Sequence, residues 1–126
     1  MFQQDIQQIQ SVITNYFEGI YYGDIDKLSS AFHTQCLLIG DINGQPYFKN
    51  LEEYLHGVKN RKSPCDSGEQ FQMKILGIEA VNDIASAKLH LPMLGYNYYD
   101  YMSLSRIEGQ WKIVNKIFTN VGVGTR

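Results

Sequence analysis

The order of the predicted elements indicates an α+β domain, in which N-terminal helices pack on a strongly curved, mainly antiparallel sheet. Two observations support this class. Apolar residues near the N-terminus recur at three- and four-residue steps, which is typical of amphipathic helices. From Phe71 onward the chain reads as long strands separated by short turn signals. A chain of 126 residues suffices for one hydrophobic core, so residues 1–126 are predicted to form a single domain.

The first half of the chain contains three predicted helices. The first ends at Gly23 and carries one apolar stripe, which consists of Ile6, Ile9, Ile13, Tyr16, Phe17 and Ile20. Asp24 is suited to cap a short second helix, whose apolar face holds Ile25, Leu28, Ser29 and Phe32. The third helix is predicted to begin after Asn50, because Glu52 and Glu53 suit the positive end of a helix dipole.

The predicted strands form one short hairpin and two long ones. Residues 37–42 and 45–49 flank Asn43-Gly44, a strong hairpin signal because both turn residues adopt positive φ. The long strands are predicted at residues 71–81, 84–91, 96–107 and 110–118. The breaks between them are Asn82-Asp83, Gly95 and Glu108-Gly109.

Composition and charge exclude several classes of function. A net charge of −2 and a pI near 5.8 disfavour general binding to nucleic acid or to anionic membranes. The basic run Lys59-Asn60-Arg61-Lys62 is interpreted as cations at the C-terminus of the third helix. The chain has no long apolar run and no signal-peptide pattern at its start. Cys36 and Cys65 form no CxxC motif, which favours reduced thiols and a cytoplasmic location. We also expect that the protein holds neither a metal ion nor a cofactor.

Pairing across the Glu108-Gly109 turn identifies a candidate polar site. Regular alternation places Met102 opposite Asn115 and Asp100 opposite Ile117. Asp100 and Asn115 would then lie side by side on an apolar face, where desolvation should raise the pKa of the Asp100 carboxyl. The alternative is that these two side chains bond each other and only fix the strand register. The same pairing brings Arg106 against Trp111 as a cation–π pair.

The opposite face of the last hairpin is also apolar. The helices can cover only one face of the sheet, and regular alternation places a second set of large side chains on the other. A second copy of the chain would cover that face. We therefore expect a homodimer through Tyr99, Tyr101, Val114 and Phe118.

Several blocks of the sequence resemble a known superfamily. They are Tyr16 with Gly23-Asp24 and Leu28, Phe32-His33, residues 83–88, residues 100–104 and residues 111–118. Together they resemble the nuclear transport factor 2-like (cystatin-like) superfamily, and within it the putative lumazine-binding family. The chain departs from the family pattern at Thr34-Gln35, where Pro-Asp is usual, and at Ile20, where an aromatic residue is common. The resemblance implies a cone-shaped pocket between the first helix and the concave sheet.

The leading hypothesis is a small-molecule binding protein, with an apolar pocket for a flat or polycyclic, pteridine-like ligand. Its expected ligand-binding residues are Tyr16, His33, Tyr98, Asp100, Met102 and Asn115. The resemblance places His33 near the pocket, where it could carry a proton or cap the second helix. One alternative is a cofactor-independent isomerase, dehydratase or cyclase that uses Asp100 as acid–base group. Another is a structural dimerisation module without a ligand.

Overall fold

The computed structural model describes residues 2–122, which form three helices and six strands. The helices are α1 (Phe2–Tyr22), α2 (Ile25–Ser30) and α3 (Leu51–Lys59). The strands are β1 (Phe32–Ile42), β2 (Gln45–Asn50), β3 (Lys74–Val81), β4 (Ile84–Met93), β5 (Tyr96–Ile107) and β6 (Gln110–Asn120).

The six strands form one mixed sheet in the order β2-β1-β6-β5-β4-β3. Every neighbouring pair in it is antiparallel except β1 and β6, which are parallel. The helices pack on the inner face of this sheet, which confirms the predicted α+β class. The core between them includes Ile9, Ile13, Phe17, Leu28, Leu38, Val58, Leu89, Leu104, Trp111 and Ile113. Within residues 2–122, no helix is long and apolar enough to cross a membrane.

Local signals explain where the helices begin. The side chain of Asp24 accepts a hydrogen bond from the Lys27 amide (3.1 Å) and caps α2. Asn50 and Glu53 form a reciprocal capping box at the start of α3, with distances of 2.8 and 3.0 Å. These caps satisfy amides that a helix leaves unpaired at its first turn. They fix both helix starts where the sequence predicts them.

The short second helix ends earlier than predicted. Phe32 and His33 lie on β1 rather than at the end of α2, which stops at Ser30. The reason is a contact distant in sequence, because the Ile113 amide donates to the Ala31 carbonyl (2.9 Å) and Phe32 pairs with Ile113. Pairing with β6 therefore holds Phe32 and His33 in an extended conformation, although the apolar spacing of this segment still fits a helix.

A β-bulge in β6 overturns the predicted register of the last hairpin. Ile113 lies opposite Leu104 as predicted, but the register shifts immediately afterwards. Asn115 then faces Ser103, Lys116 faces Met102, and Phe118 faces Asp100. The predicted pairs Met102–Asn115 and Asp100–Ile117 are wrong, because the bulge inserts one residue without a partner of its own, at Val114.

The bulge decides which side chains face the helices. Paired residues share a face, so Lys116 and Phe118 lie on the inner face with Met102 and Asp100. Burial agrees with this assignment, since Lys116 is 6% exposed whereas Ile117 is 46% exposed. Phe118 therefore does not belong to the outer face on which the sequence placed it. Its position there is taken by Ile117.

The absence of a side chain at Gly40 leaves room for the Phe118 ring. Gly40 pairs with Phe118 across the parallel contact of β1 and β6. A Cβ atom at Gly40 would overlap the Phe118 ring and come within 2.6 Å of the Phe118 carbonyl oxygen. The absence of a side chain at this position is therefore a packing requirement of the fold.

We expect Gly40→Ala to lower the free energy of unfolding by about 1–3 kcal/mol, because the added methyl group displaces a packed ring. Urea unfolding measures the effect. Gly57→Ala in α3 is the matched control, since a Cβ there meets nothing within 4 Å, and it should gain up to about 1 kcal/mol from helix propensity. Equal stability of the two variants would contradict this packing argument.

Candidate functional site

A cavity of about 50 Å³ lies between α1 and the inner face of the sheet. Its walls come from α1, α3, five strands and the segment that follows α3. Aromatic and aliphatic side chains predominate among them, with three charged groups. The lining residues are Tyr16, Ile20, Ile42, Tyr47, Tyr54, Arg61, Leu91, Met93, Tyr98, Asp100, Lys116 and Phe118.

A buried hydrogen bond joins helix α1 to strand β5 in this cavity. The apolar stripe of α1 turns Tyr16 toward the sheet, and its hydroxyl donates to Asp100 Oδ2 at 2.5 Å. Tyr16 is 0% and Asp100 1% exposed. Burial raises the pKa of the Asp100 carboxyl, and this effect outweighs the opposing influence of Lys116 and of the Tyr16 hydrogen bond. Burial, followed by the charge of Asp100, raises the pKa of Tyr16 well above its ordinary value.

The ammonium group of Lys116 lies in a cage of aromatic rings beside the carboxylate. Lys116 Nζ is 4.0 Å from Asp100 Oδ2 and 3.5 Å from the Tyr54 hydroxyl oxygen. The ring centroids of Tyr54, Phe118 and Tyr16 lie 4.7, 4.8 and 5.2 Å from it. A cation over aromatic faces is attracted by their negative electrostatic potential. The carboxylate and the three rings together compensate for the desolvation of this buried lysine.

Tyr47, Tyr98 and Arg61 form the rim of the cavity, which we call the mouth. Both tyrosine rings pack edge-on against Phe118, with centroids 5.1 and 5.8 Å away. Burial raises the pKa of Tyr47 to about 12, although the charge of Arg61 acts to lower it. Arg61 Nε is buried and has no hydrogen-bond partner among the described residues.

The structure brings together three of the six residues predicted to bind ligand. Tyr16, Tyr98 and Asp100 line the cavity. Met102 is buried in the core on the same inner face, outside the cavity wall. His33 is half-buried at the start of β1, where its Nδ1 accepts a hydrogen bond from the Gln35 amide at 3.1 Å. Asn115 pairs with Ser103 on the outer face, so it is not the neighbour of Asp100.

Sequence reasoning missed both cations of the cavity. Lys116 was overlooked because regular alternation turns it outward, and nothing in the local sequence marks the bulge at Val114. Arg61 was interpreted only as a cation at the end of α3. It does follow that helix, with its amide 3.4 Å from the Val58 carbonyl, but its side chain lines the cavity.

The arrangement provides hydrogen bonding and charge at the inner end of an apolar space. A ligand reaching Asp100 would meet a carboxyl with a raised pKa, which can accept or donate a proton. No cluster of three His, Cys, Asp or Glu side chains suited to a metal ion occurs in the part of the chain that is described. The polar chemistry of the site rests on Tyr16, Asp100, Lys116 and Arg61, together with the hydroxyl groups of the other tyrosines in the lining.

Comparison with known proteins gives one family and a group of similar structures. A family model described as putative lumazine-binding matches residues 4–119. A nuclear transport factor 2-like protein of unknown function from Shewanella baltica is similar with 24% identity, a TM-score of 0.85 and 98% coverage of both chains. A comparable protein from Methylobacillus flagellatus has 24% identity, a TM-score of 0.80 and 94% coverage of each chain.

A third similar structure is described as a putative dehydratase of the same structural family, from Streptomyces avermitilis. It shares 15% identity, with a TM-score of 0.70, and the match covers 98% of this chain and 100% of that one. No protein of curated function matches the sequence. At these identities the solved structures establish the fold alone.

We expect the charges of Asp100 and Lys116 to be energetically coupled. Asp100→Asn leaves a buried ammonium group without its carboxylate and should lower the free energy of unfolding by about 3 kcal/mol. Adding Lys116→Met removes the stranded charge and should recover about 1–3 kcal/mol. Urea unfolding of the two single variants and the double variant measures this coupling.

Asn115→Ala is the control for the register, because Asn115 lies on the outer face. Combined with Asp100→Asn, it should recover none of the lost stability. Recovery by Asn115→Ala, or simple additivity of the Asp100 and Lys116 variants, would contradict the inward placement of Lys116.

Proposed function

The chain belongs to the putative lumazine-binding family and is similar to solved structures described as nuclear transport factor 2-like, and from this premise we propose that it binds a small, flat organic molecule between α1 and the sheet. The observation that carries the proposal is the cavity itself. Aromatic walls suited to a flat ring converge there on a few polar groups, the usual composition of a small-molecule site. The polar end suits a heterocycle with carbonyl and N–H groups on its edge, such as a pteridine.

The size of the cavity limits the ligand. About 50 Å³ holds a few water molecules, whereas pockets for drug-sized ligands measure roughly 300–1,000 Å³. A ligand of one or two rings would therefore displace side chains as it enters. Tyr47, Tyr98 and Arg61 are the candidates, because they are only half-buried at the mouth while Tyr16, Asp100 and Lys116 are held by one another. This favours a small ring system over a larger polycycle.

A proton-transfer reaction on the bound ligand is the second candidate function. It is favoured by the raised pKa of the Asp100 carboxyl in an apolar cavity. Under this alternative, Asp100 would move a proton to or from the ligand without a cofactor. Recovery of each probe unchanged after prolonged incubation with the protein would exclude catalysis on that probe and leave binding alone.

We expect lumazine and 2-naphthamide to shift the NMR amide signals of residues that line the cavity. Tyr98→Ala should weaken binding by about three- to tenfold, the amount expected for the loss of one aromatic contact. Tyr96→Ala is the matched control, because its ring stacks on Tyr98 (5.2 Å) but does not line the cavity. Signals that shift only outside the cavity, or an equal loss in both variants, would contradict the proposed site. Failure of both probes to bind would favour a structural module without a ligand.

We also propose that a second copy of the chain covers the outer face of the sheet. An exposed apolar group lies there on neighbouring strands and the segment after them, and it includes Tyr101 (53%), Ile117 (46%) and Val121 (41%). An exposed group of this kind is typical of an interface. Tyr99 and Val114 lie half-buried on the same face, whereas Phe118 points into the cavity and cannot contribute its ring.

The variant Tyr101→Glu/Ile117→Lys should convert the dimer to a monomer, because it places charges at the centre of the apolar face. Sedimentation velocity measures the change. Tyr22→Glu is the control, since Tyr22 is equally exposed (58%) but lies on α1, away from the sheet. A wild-type chain that sediments as a monomer, or a dimer that survives the double substitution, would refute this use of the outer face.

A further inference from the structure

The two arginines in the described residues are held very differently. Arg106 forms ion pairs with Asp5 (2.7 Å) and Asp83 (2.6 Å). No described carboxylate lies within 4.0 Å of the Arg61 guanidinium group. Its Nε is moreover buried without a hydrogen-bond acceptor among the described residues. A buried donor without a partner costs free energy, so this arrangement favours an acceptor from outside the chain.

The charges of the residues that line the cavity do not cancel. Lys116 and Asp100 form a pair at the inner end, 4.0 Å apart. Arg61 is the third charged group of the lining, and it leaves the cavity with one positive charge in excess. The apolar walls reduce screening by water, which strengthens the attraction between this charge and an entering anion.

We propose that Arg61 binds the carboxylate of the ligand, so that the natural ligand is a flat organic acid bound as its anion. This inference rests on the proposed function and adds the charge class of the ligand. A guanidinium group matches a carboxylate because its planar N–H groups can donate two parallel hydrogen bonds. Tyr47 and Tyr98 line the same mouth and carry further hydroxyl donors. Arg61 lines this mouth with them, so the three groups face the same part of the cavity.

A single carboxylate fits the charge balance better than a more highly charged group. One negative charge neutralises the excess left by Arg61 while the inner pair stays intact. A phosphate dianion would need a second cation, and Lys116 is already enclosed by Asp100 and three aromatic rings. The ring of the ligand would then lie among the apolar walls, with its carboxylate at the mouth.

The test compares 2-naphthoate with its neutral counterpart 2-naphthamide, which has nearly the same shape. Dissociation constants are measured by NMR titration for the wild type, Arg61→Gln and Lys62→Gln. Lys62→Gln removes the same charge from an exposed neighbour that does not line the cavity. The wild type should bind naphthoate at least about tenfold more tightly than the amide, a preference that falls with added salt. Arg61→Gln should abolish the preference, and Lys62→Gln should retain it.

The Nε–Hε signal of Arg61 gives a second readout that needs no variant. It should shift on addition of naphthoate and remain in place with naphthamide. If the wild type binds both compounds equally, or Lys62→Gln removes the preference as fully as Arg61→Gln does, the carboxylate inference fails while the proposed function stands. If neither compound binds, the inference and the proposed flat-ligand function fail together.

Discussion

The hydrogen bond between Tyr16 and Asp100 connects the first helix to the middle of the sheet, and the rest of the cavity is arranged around it. A fully buried carboxyl group requires partners, and Lys116 supplies the opposite charge. The buried ammonium group then needs compensation of its own, which the rings of Tyr16, Tyr54 and Phe118 provide. Phe118 in turn requires the bare backbone of Gly40. Removing the carboxyl would therefore remove the charge that compensates the burial of Lys116. The packing of the aromatic rings around Lys116, and of Phe118 on Gly40, depends on that burial.

Local signals were sufficient to predict much of the fold. The period of α1, the caps at Asp24 and Asn50 and the turn at Glu108-Gly109 each depend on a few neighbouring residues. The same signals predicted the faces of α1 and β5 on which Tyr16 and Asp100 lie, and both residues line the cavity.

The errors arose where distant contacts decide the conformation. Phe32 extends because β6 pairs with it. The bulge at Val114 leaves no pattern in the sequence, because apolar residues on both sides of β6 fit either face. The sequence pattern therefore does not predict that Lys116 faces inward. The position of Arg61 at the mouth depends on how the segment after α3 turns toward the sheet.

The extra residue at Val114 also affects how relatives of this chain should be compared. A relative without it would keep the same side chains pointing inward, because deleting one residue from the bulge restores regular alternation. Its equivalent of Lys116 would then lie one position nearer to its equivalent of Trp111. An ungapped alignment would match Lys116 to a side chain on the opposite face of the sheet. Shared or different cavity chemistry among homologues is therefore best judged after structural superposition of the last strand.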